Sequence, residues 1–101
     1  MNGRPIRVLD LHMFSGALAR AAVRSYLESL LSRQRAATDD VIIVVGKGLR
    51  SRSDPVLRTA VTTMLLEDYS IRAADVESNA GRLKINKNDL EMLIATRGWS
   101  S

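Results

Sequence analysis

The sequence predicts an α/β fold: a two-layer sandwich in the order β-α-β-α-β-β-α, with a mixed four-stranded sheet backed by helices. Two observations favour this class. Apolar residues switch along the chain between the alternating spacing of strands and the wider spacing of helices. The length of 101 residues leaves room for one core between two layers and for no deep interdomain cleft.

The first half of the chain predicts a strand, a helix and a second strand. Residues 6–12 combine a mixed alternation of apolar and polar residues with β-branched content, which predicts a short strand, and its two-residue period places Asp10 and His12 on one face. Ser15 is a candidate N-cap for an amphipathic helix with the apolar residues Ala19, Val23, Tyr26, Leu27, Leu30 and Leu31. Residues 41–45 are all apolar, which is typical of a strand covered on both faces in a parallel sheet.

The next helix is predicted by its start signal and its apolar stripe. Asp54 followed by Pro55 is typical of a capped helix start. Its apolar stripe consists of Leu57, Ala60, Val61, Met64 and Leu65. The order strand, helix, strand, helix makes a right-handed parallel crossover the default connection between the two strands.

The last part of the chain predicts a hairpin and a closing helix. Residues 73–77 and 82–86 are the expected strands, joined by the turn residues 78–81. Asn88 and Glu91 have the spacing of a capping box and predict where the last helix begins. This helix is expected to end near Gly98.

Charge and composition restrict the classes of partner and site. The formal net charge is +4, and the positive excess lies within residues 1–52, which favours a polyanionic partner. The chain has no Cys, and His12 is its only histidine, so a structural zinc site is excluded. No apolar stretch is long enough to span a bilayer, and we expect a soluble domain without a membrane partner.

Candidate functional residues follow both predicted parallel strands. Ligands of open α/β sheets bind at the carboxyl ends of the strands, where Asp10 and His12 would meet a glycine-rich basic loop. The loop supplies candidate phosphate contacts, with weaker candidates further along the chain: Gly46, Lys47, Gly48, Arg50 and Arg52, then Arg58, Arg82 and Lys84. The alternative is a solvated loop and a local hydrogen bond that stabilises a strand end.

These residues resemble the signatures of the small MutS-related (Smr) domain. Leu9-Asp10-Leu11-His12 is similar to the family's Leu-Asp-x-His motif, and Val45-Gly46-Lys47-Gly48 corresponds to its His-Gly-x-Gly or Thr-Gly-x-Gly motif. Residues 50–57 and 79–83 resemble plant organellar pentatricopeptide-repeat–Smr proteins in particular. The chain differs from bacterial members at Met13, where they have Gly, and at Val45, where a polar residue is usual.

The resemblance implies one Smr-like domain over residues 1–101, the C-terminal piece of a longer protein in a plastid or mitochondrion. It implies binding of RNA, single-stranded RNA first, or of DNA. It also implies endonuclease activity by hydrolysis or transesterification, with Asp10 and His12 catalytic. The alternative is a noncatalytic module that docks RNA or a protein beside a repeat array. The sequence leaves the need for a metal open, and the one metal with a candidate role is a hydrated Mg²⁺ at Asp10.

The chemistry expected of the pair follows from its residue types. Residues two apart on a strand lie roughly 6.5 to 7 Å apart along the chain, so no mutual hydrogen bond is imposed. Imidazole exchanges a proton near neutral pH, and His12 is therefore the candidate base. Asp10 would orient that imidazole through a bend or hold the metal. No aromatic residue lies within the basic loop, which favours sequence-tolerant binding.

Overall fold

A computed structural model of the chain describes residues 7–33, 39–46, 55–76 and 79–97. The predicted element order is confirmed. The elements are β1 (Arg7–Asp10), α1 (Gly16–Arg33), β2 (Val41–Val44), α2 (Pro55–Tyr69), β3 (Ala74–Val76), β4 (Asn79–Ile85) and α3 (Lys87–Arg97). None of the helices within the described residues is long and apolar enough to cross a membrane.

The four strands form one mixed sheet in the order β1-β2-β4-β3. β1 and β2 pair in parallel, whereas β4 runs antiparallel to both β2 and β3. The register between β3 and β4 shifts between Asp75 and Val76, which is a local irregularity of the hairpin. The parallel pair brings the carboxyl ends of β1 and β2 to the same edge, which we call the carboxyl edge.

The core lies on one face of the sheet. Val41, Ile43, Leu83 and Ile85 are fully buried and form one cluster with buried residues of all three helices. The alternate residues of β2, Ile42 and Val44, are only half-buried. The prediction that residues 41–45 are covered on both faces is therefore wrong, because the helices cover one face and leave the other, the outer face, partly open.

The start of α1 agrees with the sequence, and the start of α3 differs from it. The Ser15 hydroxyl accepts a hydrogen bond from the Leu18 N–H at 3.2 Å, which confirms the predicted N-cap. The last helix begins at Lys87, and its cap is Asn86, whose side chain accepts from the Asn88 N–H at 3.0 Å. The capping-box prediction is thus two residues late. The predicted cap Asp54 lies outside the described residues.

The hairpin is also tighter than predicted. β4 begins at Asn79, so most of the predicted turn 78–81 belongs to the strand. Leu83 and Ile85 face the core as expected, and Arg82 and Lys84 lie on the outer face. The strand begins early because Gly81 pairs with the end of β2, a contact that the turn-like composition of this segment conceals.

The three helices meet in a polar network around Tyr69, remote in sequence from the β1 and β2 ends. The buried Tyr69 phenol donates to Glu28 Oε2 at 2.7 Å. Arg24 Nη2 donates to Asp68 Oδ2 at 2.7 Å, and Arg97 Nη1 donates to the Asp68 carbonyl at 3.2 Å. The Arg97 guanidinium lies 5.0 Å from the centre of the Tyr69 ring, within cation–π range. We call these five residues the tyrosine network.

Candidate active site at the carboxyl edge

The sheet places the first candidate residues in a row across the outer face. Asp10 is the register partner of Val44 in β1–β2 pairing, and Arg82 is the partner of Val44 in β2–β4 pairing. The Leu11 N–H donates to the Val44 carbonyl at 2.9 Å, which continues the parallel pairing past the end of β1. The structure thus brings Asp10 and Arg82 into one row of the sheet, with Val44 between them, although they lie far apart in sequence.

Asp10 and His12 are in direct contact. β1 ends at Asp10, and the chain turns at once, with the Phe14 N–H donating to the Leu11 carbonyl at 2.9 Å. The turn places His12 Nδ1 2.5 Å from Asp10 Oδ1, and the same oxygen accepts from the His12 backbone N–H at 3.2 Å. The expectation that both residues lie on one extended strand is wrong, because β1 ends at Asp10, and the hydrogen bond that a strand would not impose is formed through the bend. The bend that would orient the imidazole is the arrangement found.

The pair is exposed, and its electrostatics favour an ionised carboxylate. The side chains of Asp10 and His12 are 57% and 29% exposed. The hydrogen bonds from His12 hold the pKa of the Asp10 carboxyl below its ordinary value of 3.8, and the charge of Arg82 acts in the same direction. Asp10 is therefore a charged acceptor for the imidazole at neutral pH. An open site of this kind suits a polymer lying across the surface.

Gly46 and Gly81 fix the second half of the carboxyl edge. The Gly81 carbonyl accepts hydrogen bonds from the N–H groups of Val45 at 2.7 Å and Gly46 at 2.9 Å. A Cβ added to Gly81 would lie 2.9 to 3.1 Å from backbone atoms of Gly46, so only glycine permits this approach. The Gly46 N–H is therefore used within the fold, and this group is not available for the phosphate contact predicted for Gly46.

The structure separates the weaker cationic candidates. Arg82 is exposed on the outer face, and its positive charge contributes to the lowered pKa of the Asp10 carboxyl. Lys84 lies two residues further along β4, with Nζ 4.0 Å from Asp40 Oδ2. Arg58 forms an ion pair with Asp75, whose register partner is the core residue Leu83, so this pair belongs to the helical side. Of the three, Arg82 lies with the Asp10–His12 pair.

The remaining candidates lie beyond the part of the chain that the structure describes. They are Lys47, Gly48, Arg50 and Arg52, which follow Gly46 directly in sequence. Their predicted contacts with phosphate stay predictions. Within the described ranges, no group of three or more acidic or histidine residues is placed to hold a metal ion. A magnesium ion at Asp10 would therefore depend on oxygens from a substrate and from water.

Two exposed apolar residues adjoin the pair, and the sequence reasoning missed them. Met13 and Phe14, directly after His12, are 81% and 36% exposed. In the sequence, Met13 stands out only as a departure from bacterial members, and Phe14 only as a residue before the helix. Their position in the sequence was the available signal. Met13 and Phe14 lie between the candidate base His12 and the N-cap Ser15, and they do not belong to the predicted apolar stripe of the helix.

Comparison with known proteins agrees with this architecture. The family model described as Smr domain matches residues 9–82, which include both signature motifs and the whole of the carboxyl edge. The chain belongs to the Smr domain family. No curated protein and no solved structure matches it. In this Smr domain Val45, which stands where the sequence departs from the family motif, is fully buried in the core cluster.

Proposed function

We propose that this Smr domain binds nucleic acid, RNA first, and cleaves its phosphodiester backbone with Asp10 and His12. The observation that carries the proposal is the short hydrogen bond between His12 Nδ1 and Asp10 Oδ1 at an open sheet edge. A carboxylate at Nδ1 favours the tautomer that carries its proton there, which leaves Nε2 as the base. The exposure of the pair lets a polymer strand reach it.

The proposed reaction uses Nε2 of His12 as the proton acceptor. Nε2 takes the proton of a ribose 2′-hydroxyl or of a water molecule as that oxygen attacks the phosphorus. The new P–O bond forms while the bond to the leaving 5′-oxygen breaks, and water protonates the leaving oxygen. Asp10 stabilises the imidazolium that results, and it stays ionised because the pKa of its carboxyl is lowered.

Positive charge beside the pair supports phosphate binding. Arg82 lies on the same outer face and is exposed. Lys47, Arg50 and Arg52 follow Gly46 in sequence and are proposed to contact phosphates on either side of the scissile bond. With one base and few oriented donors, the acceleration expected from the pair is about 10²- to 10⁴-fold, which is the range of general acid–base catalysis.

The substrate and setting are proposed from the resemblance to plant members. The similarity of residues 50–57 and 79–83 to plant members supports the proposal that the chain comes from a pentatricopeptide-repeat–Smr protein of a plastid or mitochondrion. In that protein, residues 1–101 would form one C-terminal Smr domain. In such a protein the repeats would select the RNA sequence. The Smr domain would then act as a sequence-tolerant nuclease on a single strand presented to it.

The proposal is tested by single-turnover cleavage of a labelled single-stranded RNA by the parent, His12→Ala and Asp10→Asn. The expected order is parent, then Asp10→Asn, then His12→Ala, because the base is lost only in the last. Each protein is assayed with magnesium, with chelator, and with 2′-deoxyribose at the scissile position. If cleavage requires the 2′-hydroxyl and is unaffected by chelator, the reaction is transesterification. If the 2′-deoxy substrate is also cleaved and cleavage requires magnesium, the reaction is hydrolysis.

The alternative function is a noncatalytic module that docks RNA or a protein. It predicts that the parent binds single-stranded RNA or a protein partner but does not cleave RNA. It also predicts that His12→Ala binds as the parent does and likewise does not cleave. A parent that cuts while His12→Ala cuts at the same rate contradicts the catalytic assignment, even if the RNA is bound. Arg20→Ala is a suitable control, because this exposed arginine lies on α1 rather than on the outer face.

A further inference from the structure

An exposed apolar surface lies directly beside the Asp10–His12 pair. Met13 and Phe14 occupy the turn that leaves His12, and Leu18, in the first turn of α1, is 55% exposed. We call these three residues the apolar platform. Exposed apolar residues that adjoin one another at a candidate site mark a binding surface more often than those scattered singly.

Packing does not account for the platform. Met13 and Phe14 belong neither to the buried core cluster nor to the partly buried apolar residues packed against it. As the residue before the Ser15 cap, Phe14 would pair in a hydrophobic staple with Ala19, whose single methyl group covers little of a ring. The fold therefore leaves about a third of Phe14, which is 36% exposed, and most of Met13, which is 81% exposed, open to solvent next to the base.

We infer that the apolar platform holds an unpaired nucleobase next to the phosphate that faces Asp10 and His12. This inference rests on the proposed function and names the feature of the substrate that the site selects. Every base offers a flat π-face, so stacking on Phe14 is sequence-tolerant. Arg82 on the same outer face would hold the backbone, while the platform holds the base.

The substrate chemistry follows from this division of contacts. A base that stacks on Phe14 must have left its own helix, so the site takes single strands, bulges or loops in preference to continuous duplex. Splaying one base out also turns the adjacent phosphodiester toward the protein. The platform is therefore a specificity-determining surface, and Phe14 touches the substrate without moving a proton.

The first test measures equilibrium binding of a short single-stranded RNA by the parent, Phe14→Ala, Phe14→Trp and Met92→Ala. Phe14→Ala should weaken binding about tenfold, the magnitude of one lost base stack, with an unchanged salt slope because no phosphate contact is lost. Phe14→Trp should bind as tightly as the parent. Met92 is 65% exposed on α3, away from the carboxyl edge, and Met92→Ala should have no effect.

The second test combines the variant with RNAs in which one nucleotide at a time lacks its base. At one position, removal of the base should weaken RNA binding by the parent about tenfold and leave RNA binding by Phe14→Ala unchanged. The reason is that the variant has already lost the same stacking contact. A uniform response at every position, or Phe14→Ala binding as tightly as the parent, overturns the platform. If Arg82→Gln still weakens binding in that case, the proposed function survives. A parent that binds no RNA overturns both.

Discussion

Two regions of this Smr domain, the tyrosine network and the carboxyl edge, use charged side chains in different ways. In the tyrosine network, each charged group is held by a partner from another element, as with Arg24 and Asp68 or Tyr69 and Glu28. At the carboxyl edge, the hydrogen bond between Asp10 and His12 joins residues two apart and ties no elements together. The first arrangement stabilises the tertiary fold, and the second leaves charged groups available to a ligand.

The difference shows how a small domain separates stability from function. The tyrosine network joins α1, α2 and α3 through contacts that are 29 to 44 residues apart in sequence. The edge is instead held by backbone contacts, above all those of Gly46 with Gly81. The hydrogen bond between Asp10 and His12 ties no elements together, so substitutions of this pair and of the tyrosine network should have separable effects.

The largest single effect is expected from Gly81→Ala. The added methyl group meets the Gly46 backbone at 2.9 to 3.1 Å, so the end of β2 must move. We expect the free energy of unfolding to fall by about 2 kcal/mol, within the range for overpacking, and cleavage to fall more than tenfold. Gly16→Ala is the matched control, because its new methyl group would lie an ordinary 3.5 Å from Ala60 Cβ. Equal effects of both substitutions would show that the close approach is unimportant.

In the tyrosine network, Tyr69→Phe should lower the free energy of unfolding by about 1 kcal/mol and leave cleavage unchanged, because a hydrogen bond to Glu28 is lost. Burial, followed by the contacts with Glu28, raises the pKa of Tyr69 to about 12. Its contribution is therefore complete below the ordinary tyrosine pKa of 10 and is lost as pH rises through about 12. Denaturant unfolding of parent and variant across this range checks the prediction. A constant difference would contradict it.

Among the arginines, Arg82→Gln and Arg58→Gln should differ in their effect on RNA binding. Arg82 faces the outer side beside Asp10, whereas Arg58 is paired with Asp75 on the helical side. Arg82→Gln should reduce the salt slope for a single-stranded RNA by about 0.7, the value of one phosphate contact. Arg58→Gln should leave the slope unchanged. The reverse result would move the binding surface to the helical side.

The smallest effect is a change in the titration of Asp10. The hydrogen bond from His12 is the largest cause of the lowered pKa of the Asp10 carboxyl. In His12→Ala this pKa should rise, and NMR titration of the carboxyl carbon measures it directly. Met13→Ala is the control, since this neighbour carries no charge or hydrogen-bonding group in its side chain. An unchanged Asp10 pKa in His12→Ala would mean that the pair is not formed in solution.

Much of the fold follows from local sequence patterns. The apolar spacing predicts every element and the parallel neighbours β1 and β2, because a strand or helix must bury one face wherever it lies. The starts of α3 and β4 are less predictable. Asn86 rather than Asn88 caps α3, and β4 reaches back to Asn79 because Gly81 pairs with the end of β2. The latter contact is long-range, and no local pattern encodes it.

The candidate site is predictable in composition but not in geometry. The motif around Asp10 and His12 identifies the residues, while the backbone turn after Asp10 decides that they touch. The selection of Arg82 over Arg58 depends on which face of the sheet each occupies. Such differences arise from strand register and tertiary pairing, which composition and spacing leave open.

The central claim is that the carboxyl edge acts on substrate without supporting the fold. Its most direct test compares two double variants. The first combines Asp10→Ala and His12→Ala, and the second combines Tyr69→Phe and Arg24→Gln. For each, the rate of single-turnover RNA cleavage and the urea midpoint of unfolding are measured. We predict that the first loses at least about a hundredfold in cleavage rate at an unchanged midpoint. The second should unfold at lower urea and cleave at the parent rate. A first variant that cleaves like the parent, or that loses activity only by unfolding, would contradict the account.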